Sequence, residues 1–273
     1  MKSIIVPVDF SIHSERALKV AASLARKNQA DLLVLHMLEL TSAMIGEGGH
    51  MAQEHVVHLI KAGEKRFEDF LDKPYLKGIE VTPIIKHYKV FSEVNEVAKK
   101  HKVDLVVMGS QGSEGLEEIF IGSNTERVVR HSDVPVLVVK GEVEDFNPKN
   151  FVFACDFQME NLPALKKAKQ LAELLDSKLH LVYINTPGDE FLSTDDAYAR
   201  ISEFLHEAKL GLGVDIHNDY TVKKGILNYS QKLPADLIGI PTHGRKGLSH
   251  FFMGSIGEDV ANHSDIPVIT FKI

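Results

Sequence analysis

The chain has 273 residues, 44% hydrophobic and 25% charged, with one cysteine and a formal net charge of −7. That length predicts two domains of about 130 to 150 residues, each able to bury a core of its own. Cys155 alone excludes an internal disulfide and points to a reducing compartment. Acidic residues outnumber Lys and Arg by 22 to 18 in residues 1–145 and by 16 to 13 in 146–273. Neither half carries the basic excess that phosphate-backbone binding demands, which argues against nucleic acid as a main partner.

The opening MKSIIVPVDFS has too short an apolar run for a secretory signal, and no segment reaches the roughly 20 apolar residues of a membrane span. A cytoplasmic protein without a membrane partner is expected. SIIVPV (3–8) reads as a buried strand running into Asp9. SERALKVAASLARK then sets Ala17, Leu18, Ala21, Leu24 and Ala25 on one helical face. LLVLHM (32–37) is the next strand. Gly46, Gly48 and Gly49 predict a loop before a helix that begins near Gln53. His50, His55 and His58 match no metal-ligand spacing, so they read as solvated and no metal is expected. Val94, Val97 and Ala98 form the buried stripe of a further helix before the strand DLVVM (104–108). VPVLVV (134–139) closes the unit.

The unit is then written again. SIIVPVDFS aligns with NFVFACDFQ (150–158) at an offset of 147, placing Asp9 on Asp156, and LLVLHM aligns with LHLVYI (179–184) at the same offset. DLVVMG, Gly122-Ser123 and VPVLVV find DLIGIP, Gly254-Ser255 and IPVITF at a constant 132. The second copy is therefore about 15 residues shorter, between residues 184 and 236. Its first helix repeats the apolar stripe with Leu162, Leu165, Ala168, Leu171, Ala172 and Leu175, and Pro163 suits a first turn. Near-continuous Val/Ile/Leu strands alternating with helices imply parallel sheets covered on both faces. The expected fold is α/β, two repeated doubly wound domains of about five parallel strands each. The first spans 1–141, an acidic linker 142–149, and the second, shorter domain 150–273. The apolar final strands VPVLVVK and IPVITFKI would leave sticky edges, so the two copies are expected to pair through them as an internal pseudo-dimer.

Between DLVVM and the next helix lies GSQGSEGLEEIFIGSNT (109–125). In open parallel sheets ligands sit beyond the carboxyl ends of the strands, and this loop is at such an end. Glycines admit close approach of a ligand to the main chain. Gly122 and Ser123 open a helix, whose free N–H groups, with Ser123, Asn124 and Thr125, suit an anion such as phosphate. The loop is neither a Walker A sequence nor a dinucleotide fingerprint.

The spacing of Gly109, Gly112, Gly122 and Ser123 matches G-x2-G-x9-G-[ST], and with VPVDFS, LHM, DLVVMG and VPVLVV the chain resembles the universal stress protein family, as a tandem member. The resemblance implies an adenine nucleotide, ATP or AMP, across the strand ends of the first domain. Pro7, Val8 and Asp9 would meet the adenine end, with Met37 and Met108 packed on base and ribose. Gly109, Gly112, Gly122, Ser123, Asn124 and Thr125 would hold ribose and phosphates. The plainer roles are a helix cap for Asp9 and core packing for the two methionines. Mg²⁺ is not readable.

The copies depart from the pattern in opposite ways. The first keeps its glycines but carries Glu114, Glu117 and Glu118 in the loop. The second, PTHGRKGLSHFFMGS, offers His243, Arg245, Lys246 and His250, yet Pro241 replaces the first glycine, with no N–H and a fixed φ. A weaker second site would involve Asp156, Ile184, Gly244, Arg245, Gly254 and Ser255, and Pro241 is expected to disable it. The expected function is a stress-response protein regulated by nucleotide occupancy, acting on an unidentified regulatory protein. The alternatives are a nucleotide-free scaffold or dimerisation module, or slow ATP hydrolysis or autophosphorylation at Ser123 or Ser110. Dimerisation of the whole chain stays open, and no catalytic residue is assigned.

Overall fold

The computed structural model describes residues 1–38, 50–87, 90–110, 122–143, 145–242 and 255–273. The first repeat comprises β1 (Ser3–Val8), α1 (Ile12–Asn28), β2 (Asp31–Leu38), α2 (His50–Leu71), β3 (Val81–His87), α3 (Val90–His101), β4 (Leu105–Gly109), α4 (Ser123–His131) and β5 (Val136–Val139). The second comprises β6 (Asn150–Ala154), α5 (Leu162–Leu175), β7 (Lys178–Asn185), α6 (Thr194–Ala208), β8 (Val214–Asn218), α7 (Val222–Lys232), β9 (Leu237–Thr242), α8 (Ser255–His263) and β10 (Val268–Lys272). Helix α2 thus begins at His50, three residues before the expected Gln53. Part of the second repeat's shortening lies in its counterpart α6, 15 residues against 22.

All ten strands form one sheet in the order β3-β2-β1-β4-β5-β10-β9-β6-β7-β8. Each half is parallel. The order reverses beside β1 in the first domain and beside β6 in the second, the places where open α/β sheets put a ligand crevice. The final strands are not edges. They meet antiparallel at the centre, Val138 opposite Val268, Leu137 opposite Ile269 and Val136 opposite Thr270. All six are buried. Covering a Val, Leu or Ile side chain contributes about 1.5–3 kcal/mol, so the seam belongs to the core of both domains.

The repeat extends to small devices. Asp104 Oδ2 accepts the amides of Lys2 (2.5 Å) and Ser3 (3.1 Å), clasping the first strand to the root of β4. Asp236 Oδ2 does the same for Lys149 (2.8 Å) and Asn150 (2.9 Å). Helices α1 and α5 both end on a left-handed residue, Gln29 and Asp176. Phe10 and Phe157, each just past the first strand, also have positive φ. Their rings pack alike: Phe10 lies 4.1 Å from His36 and 5.3 Å from Phe70, and Phe157 lies 6.5 Å from Tyr183 and 5.4 Å from Phe204.

Where the cores differ, volumes compensate. Ile4 and Val107 of the first domain become Phe151 and Gly239 in the second. A Cβ at Gly239 would stand 2.6 Å from the Phe151 ring, so the larger ring requires the missing side chain. Helix stripes are buried as their spacing predicts, including Leu18, Ala21 and Leu24 on α1 and Leu165, Ala168 and Leu175 on α5.

Candidate functional site

The crevice at the reversal point of the first domain is a pocket of about 360 Å³, within the range of small-molecule sites. Its floor comes from the strand ends: Pro7 and Val8 of β1, Leu35 to Leu38 of β2, and Met108 and Gly109 of β4. One wall is the turn and first residues of α1, from Asp9 to Ser14. The other is the start of α4, Gly122 to Thr125, with Arg127. Ten of the eleven residues expected there from the sequence line this one pocket. The eleventh, Gly112, lies outside the described residues, as do Glu114, Glu117 and Glu118.

Each wall is held by identifiable bonds. Ser11 caps α1, its Oγ accepting the Ser14 amide at 3.2 Å. Asp9 is therefore not the cap. Its Oδ1 accepts the Ser11 amide (3.0 Å) and hydroxyl (2.5 Å), so it braces the cap from the pocket side and remains exposed. Partial desolvation by the surrounding pocket opposes ionisation of Asp9, but the Ser11 hydroxyl and amide outweigh it and hold the carboxyl below its usual range. His36 Nδ1 donates to the Val8 carbonyl at 2.9 Å, since a carbonyl only accepts. Met108 is buried and Met37 half-buried, both on the pocket lining.

Gly109 answers to packing. A Cβ there would overlap the His13 carbonyl in the first turn of α1. Thr125 Oγ1 donates to the Gly109 carbonyl at 3.0 Å, which ties the start of α4 to the end of β4. Thr125 is thus buried and positioning, whereas Ser123 and Asn124 are exposed at the first turn. Gly122 has φ −59° and ψ 145°, a conformation open to any residue, and supplies no side-chain cap. The first-turn amides of α4 face outward at the positive end of the helix.

Sequence reading missed His13, Ser14, His36 and Arg127 as pocket residues. His13 and Arg127 matter most, because they bring basic groups to a rim whose glycine loop has none. The signal was present: Arg127 is one helical turn beyond Ser123 and Asn124, on the face they share.

The corresponding place in the second domain is built differently. Cys155, Asp156, Phe157 and Asn161 are all buried, Asp156 at 1% exposure. Asn161 Nδ2 donates to Asp156 Oδ1, which also accepts the Gln158 amide at 3.0 Å. A 3-10 turn at Met159–Asn161 stands where α1 has its first residues, and α5 starts only at Leu162. Pro241 lies inside β9 opposite Phe271, past the last residue of β9 that pairs with β6, Gly239. In the repeat it stands at the position of Gly109, where in the first domain a Cβ would meet the His13 carbonyl. Ile184 is buried. Gly244, Arg245, Gly254, His243, Lys246 and His250 lie outside the described residues, and of Ser255 only the backbone in α8 is described.

Of the three histidines near the start of α2, His58 is exposed and the side chains of the other two lie outside the described set. Among the described residues no cluster of metal-binding side chains occurs, and no helix is long and apolar enough to cross a membrane.

Comparison with known proteins agrees with the repeat. The universal stress protein family model matches twice, over residues 1–140 and 148–272. The chain is 33% identical over 143 residues to Universal stress protein YxiE of Bacillus subtilis, covering 50% of this chain and 97% of that one. It is 31% identical over 140 residues to Universal stress protein MJ0531 of Methanocaldococcus jannaschii, covering 51% and 82%. A universal stress protein structure from Archaeoglobus fulgidus matches along 99% of this chain and 98% of that one, with a TM-score of 0.68 and 23% identity, a likeness of fold. With both halves matched, the chain belongs to the universal stress protein family as a tandem, two-domain member.

Proposed function

We propose that the first domain binds an adenine nucleotide, ATP or AMP, in the crevice between β1 and β4, and that its occupancy is the signal the protein carries. The observation that supports this most directly is the pocket's polarity from end to end. Asp9, Val8 and the methionines offer a carboxylate, backbone groups and soft apolar surface to a base. Gly122 to Thr125 offer a helix start to phosphates, Arg127 adds a basic group on that wall, and His13 stands on the α1 wall across the crevice. The second domain's buried Asp156 and Asn161 support a structural role there, so one nucleotide per chain is the reading. The regulated partner would be a protein that senses the filled pocket.

Calorimetry on the full chain with ATP, AMP, adenosine and GTP tests this. ATP and AMP should bind with a stoichiometry of one, and GTP far more weakly. Arg127→Ala should weaken ATP about fivefold to tenfold, the cost of about 1–1.4 kcal/mol for a charge-assisted contact at an open rim. Adenosine should be unaffected. Absence of binding by every adenine ligand, with the protein folded, sinks the reading.

A further inference from the structure

The base end of the first domain's pocket is fixed by a stack of side chains that reaches it from α2. The Arg66 guanidinium lies 4.8 Å over the Phe10 ring, and Phe10 lies 4.1 Å from His36 and 5.3 Å from Phe70. Phe67 closes the cluster, 5.9 Å from Phe10 and 6.0 Å from His36. Phe10 takes a left-handed backbone, φ 65°, which a non-glycine residue keeps only where its surroundings over-determine it. At the end of this stack His36 Nδ1 donates to the Val8 carbonyl at 2.9 Å.

That bond bears on where the next amide points. The Val8 carbonyl and the Asp9 N–H belong to one planar trans peptide, so they point in opposite directions. With the carbonyl turned to His36 on β2, the Asp9 amide turns towards β4, whose Met108 and Gly109 line the same pocket. Among the described residues that amide donates to no backbone carbonyl. Against partial desolvation, the Ser11 and Ser14 groups and Asp9's own amide hold the carboxylate ionised, so amide and carboxylate stand side by side. The pair is a donor beside an acceptor. Adenine presents the complement, N1 as acceptor beside the N6 amine as donor. A 6-oxopurine such as guanine or hypoxanthine inverts both, setting O6 against the carboxylate and N1–H against the amide.

The second domain has the same turn without this device. Phe157 repeats Phe10, left-handed φ included, and Asp156 repeats Asp9, but Tyr183 stands at the place of His36. A phenol carries no donor at the ring position of Nδ1, and there Asp156 is buried. The histidine thus accompanies the open pocket rather than the fold.

We propose that His36 is the positioning residue for base selection: by holding the Val8 carbonyl towards β2, it keeps the Asp9 amide and carboxylate facing the crevice as a pair matched to adenine. This role rests on the pocket's taking a nucleotide, and it adds how the base is chosen.

Calorimetry on the full chain with ATP, adenosine, ITP and 1-deazaadenosine tests it, with His36→Tyr and His36→Asn as variants. His36→Tyr installs the residue that the second domain carries near the same phenylalanine, keeping a ring but losing the donor. It should weaken ATP and adenosine alike by about tenfold and bring the ATP-over-ITP preference down towards one. His36→Asn keeps a donor at the δ position and should hold that preference within about threefold of the parent's. The parent should bind 1-deazaadenosine, which lacks the N1 acceptor, about tenfold more weakly than adenosine. An unchanged ATP-over-ITP preference in folded His36→Tyr overturns the role. Equal loss in both variants also overturns it, since the ring then only packs. Equal binding of 1-deazaadenosine and adenosine by the parent overturns it without any variant. A parent that binds no nucleotide sinks the reading of the pocket and this role together; a parent that binds but fails these tests sinks the role of His36 alone.

Discussion

Lys140 Nζ donates to the Asn262 carbonyl at 2.6 Å, joining the end of β5 to the last turn of α8 in the other domain. Its repeat counterpart, Lys272, crosses the seam the opposite way to Asp133 at 2.7 Å. Both lysines cross the seam, but one meets a backbone carbonyl and the other a carboxylate, and their environments differ. Lys140 is 5% exposed, whereas the Lys272 side chain keeps 31%.

That difference sets a pH dependence. Burial brings the Lys140 ammonium down from its usual 10.5 to about 8, with Asp265 acting against the shift. Between pH 8 and 10.5 the unfolded chain holds more protons than the folded one, so this residue makes stability rise with pH across that window. Below pH 8 the full cost of burying the charge is present. Lys140→Met should therefore be more stable than the parent at pH 7, by about 1–3 kcal/mol, and the gap should close towards pH 10.5. Urea unfolding of both proteins at several pH values measures it. A gap independent of pH means the ammonium is not desolvated.

The two pocket glycines should fail differently. Gly109→Ala forces a Cβ into the His13 carbonyl, so it should destabilise the chain by about 1–3 kcal/mol, typical of overpacking, and disturb the start of α1. Gly122→Val meets no conformational barrier at φ −59°. It should leave the melting temperature nearly unchanged while nucleotide affinity falls by tenfold or more. Denaturation midpoints set beside calorimetric affinities separate the two, and equal destabilisation by both would refute the distinction.

Asp9 carries a structural and a ligand-facing role that one pair of variants divides. Asp9→Asn keeps an oxygen for the Ser11 amide but loses the charge. Asp9→Ala loses both, and should cost about 0.5–1 kcal/mol of stability, as removal of a capping acceptor does. Both should erode the preference for ATP over GTP, with Asp9→Asn near parental stability. If neither variant alters that preference, Asp9 only braces the cap.

Restoring glycine in the second domain should not be enough. Pro241 is one of three obstacles there, beside the buried Asp156–Asn161 pair and the 3-10 turn that replaces the start of the helix. Pro241→Gly should still bind one equivalent of nucleotide. A second equivalent in calorimetry would mean the proline alone closes the site, as its sequence position suggests.

The seam predicts the behaviour of a half-chain. Residues 1–141 alone would expose Val136, Leu137 and Val138, all buried at the centre of the sheet. Sedimentation should find a dimer or aggregate, and a stable monomer would count against the seam as a shared core.

The repeat, the strand and helix sequence of each domain, and ten residues of one pocket are all written locally in this chain. Apolar periodicity, a constant offset between copies and a glycine spacing survive in one dimension because each depends on neighbours along the chain. Contacts between distant segments are not encoded that way. The pairing of the two last strands is expected from their apolar, edge-like sequences; that it is antiparallel, within a single ten-stranded sheet and in the register that sets Val138 against Val268, is displayed only by the folded chain. Gly109 reads as a loop glycine until α1 is laid across it and His13 fills the space. Arg127 reads as a helix-surface charge until α4 is docked beside β4. The second copy's Asp156 matches Asp9 letter for letter. Its burial was decided by Asn161 and by a helix that starts three residues late, a matter of packing density that no alignment of the two copies contains.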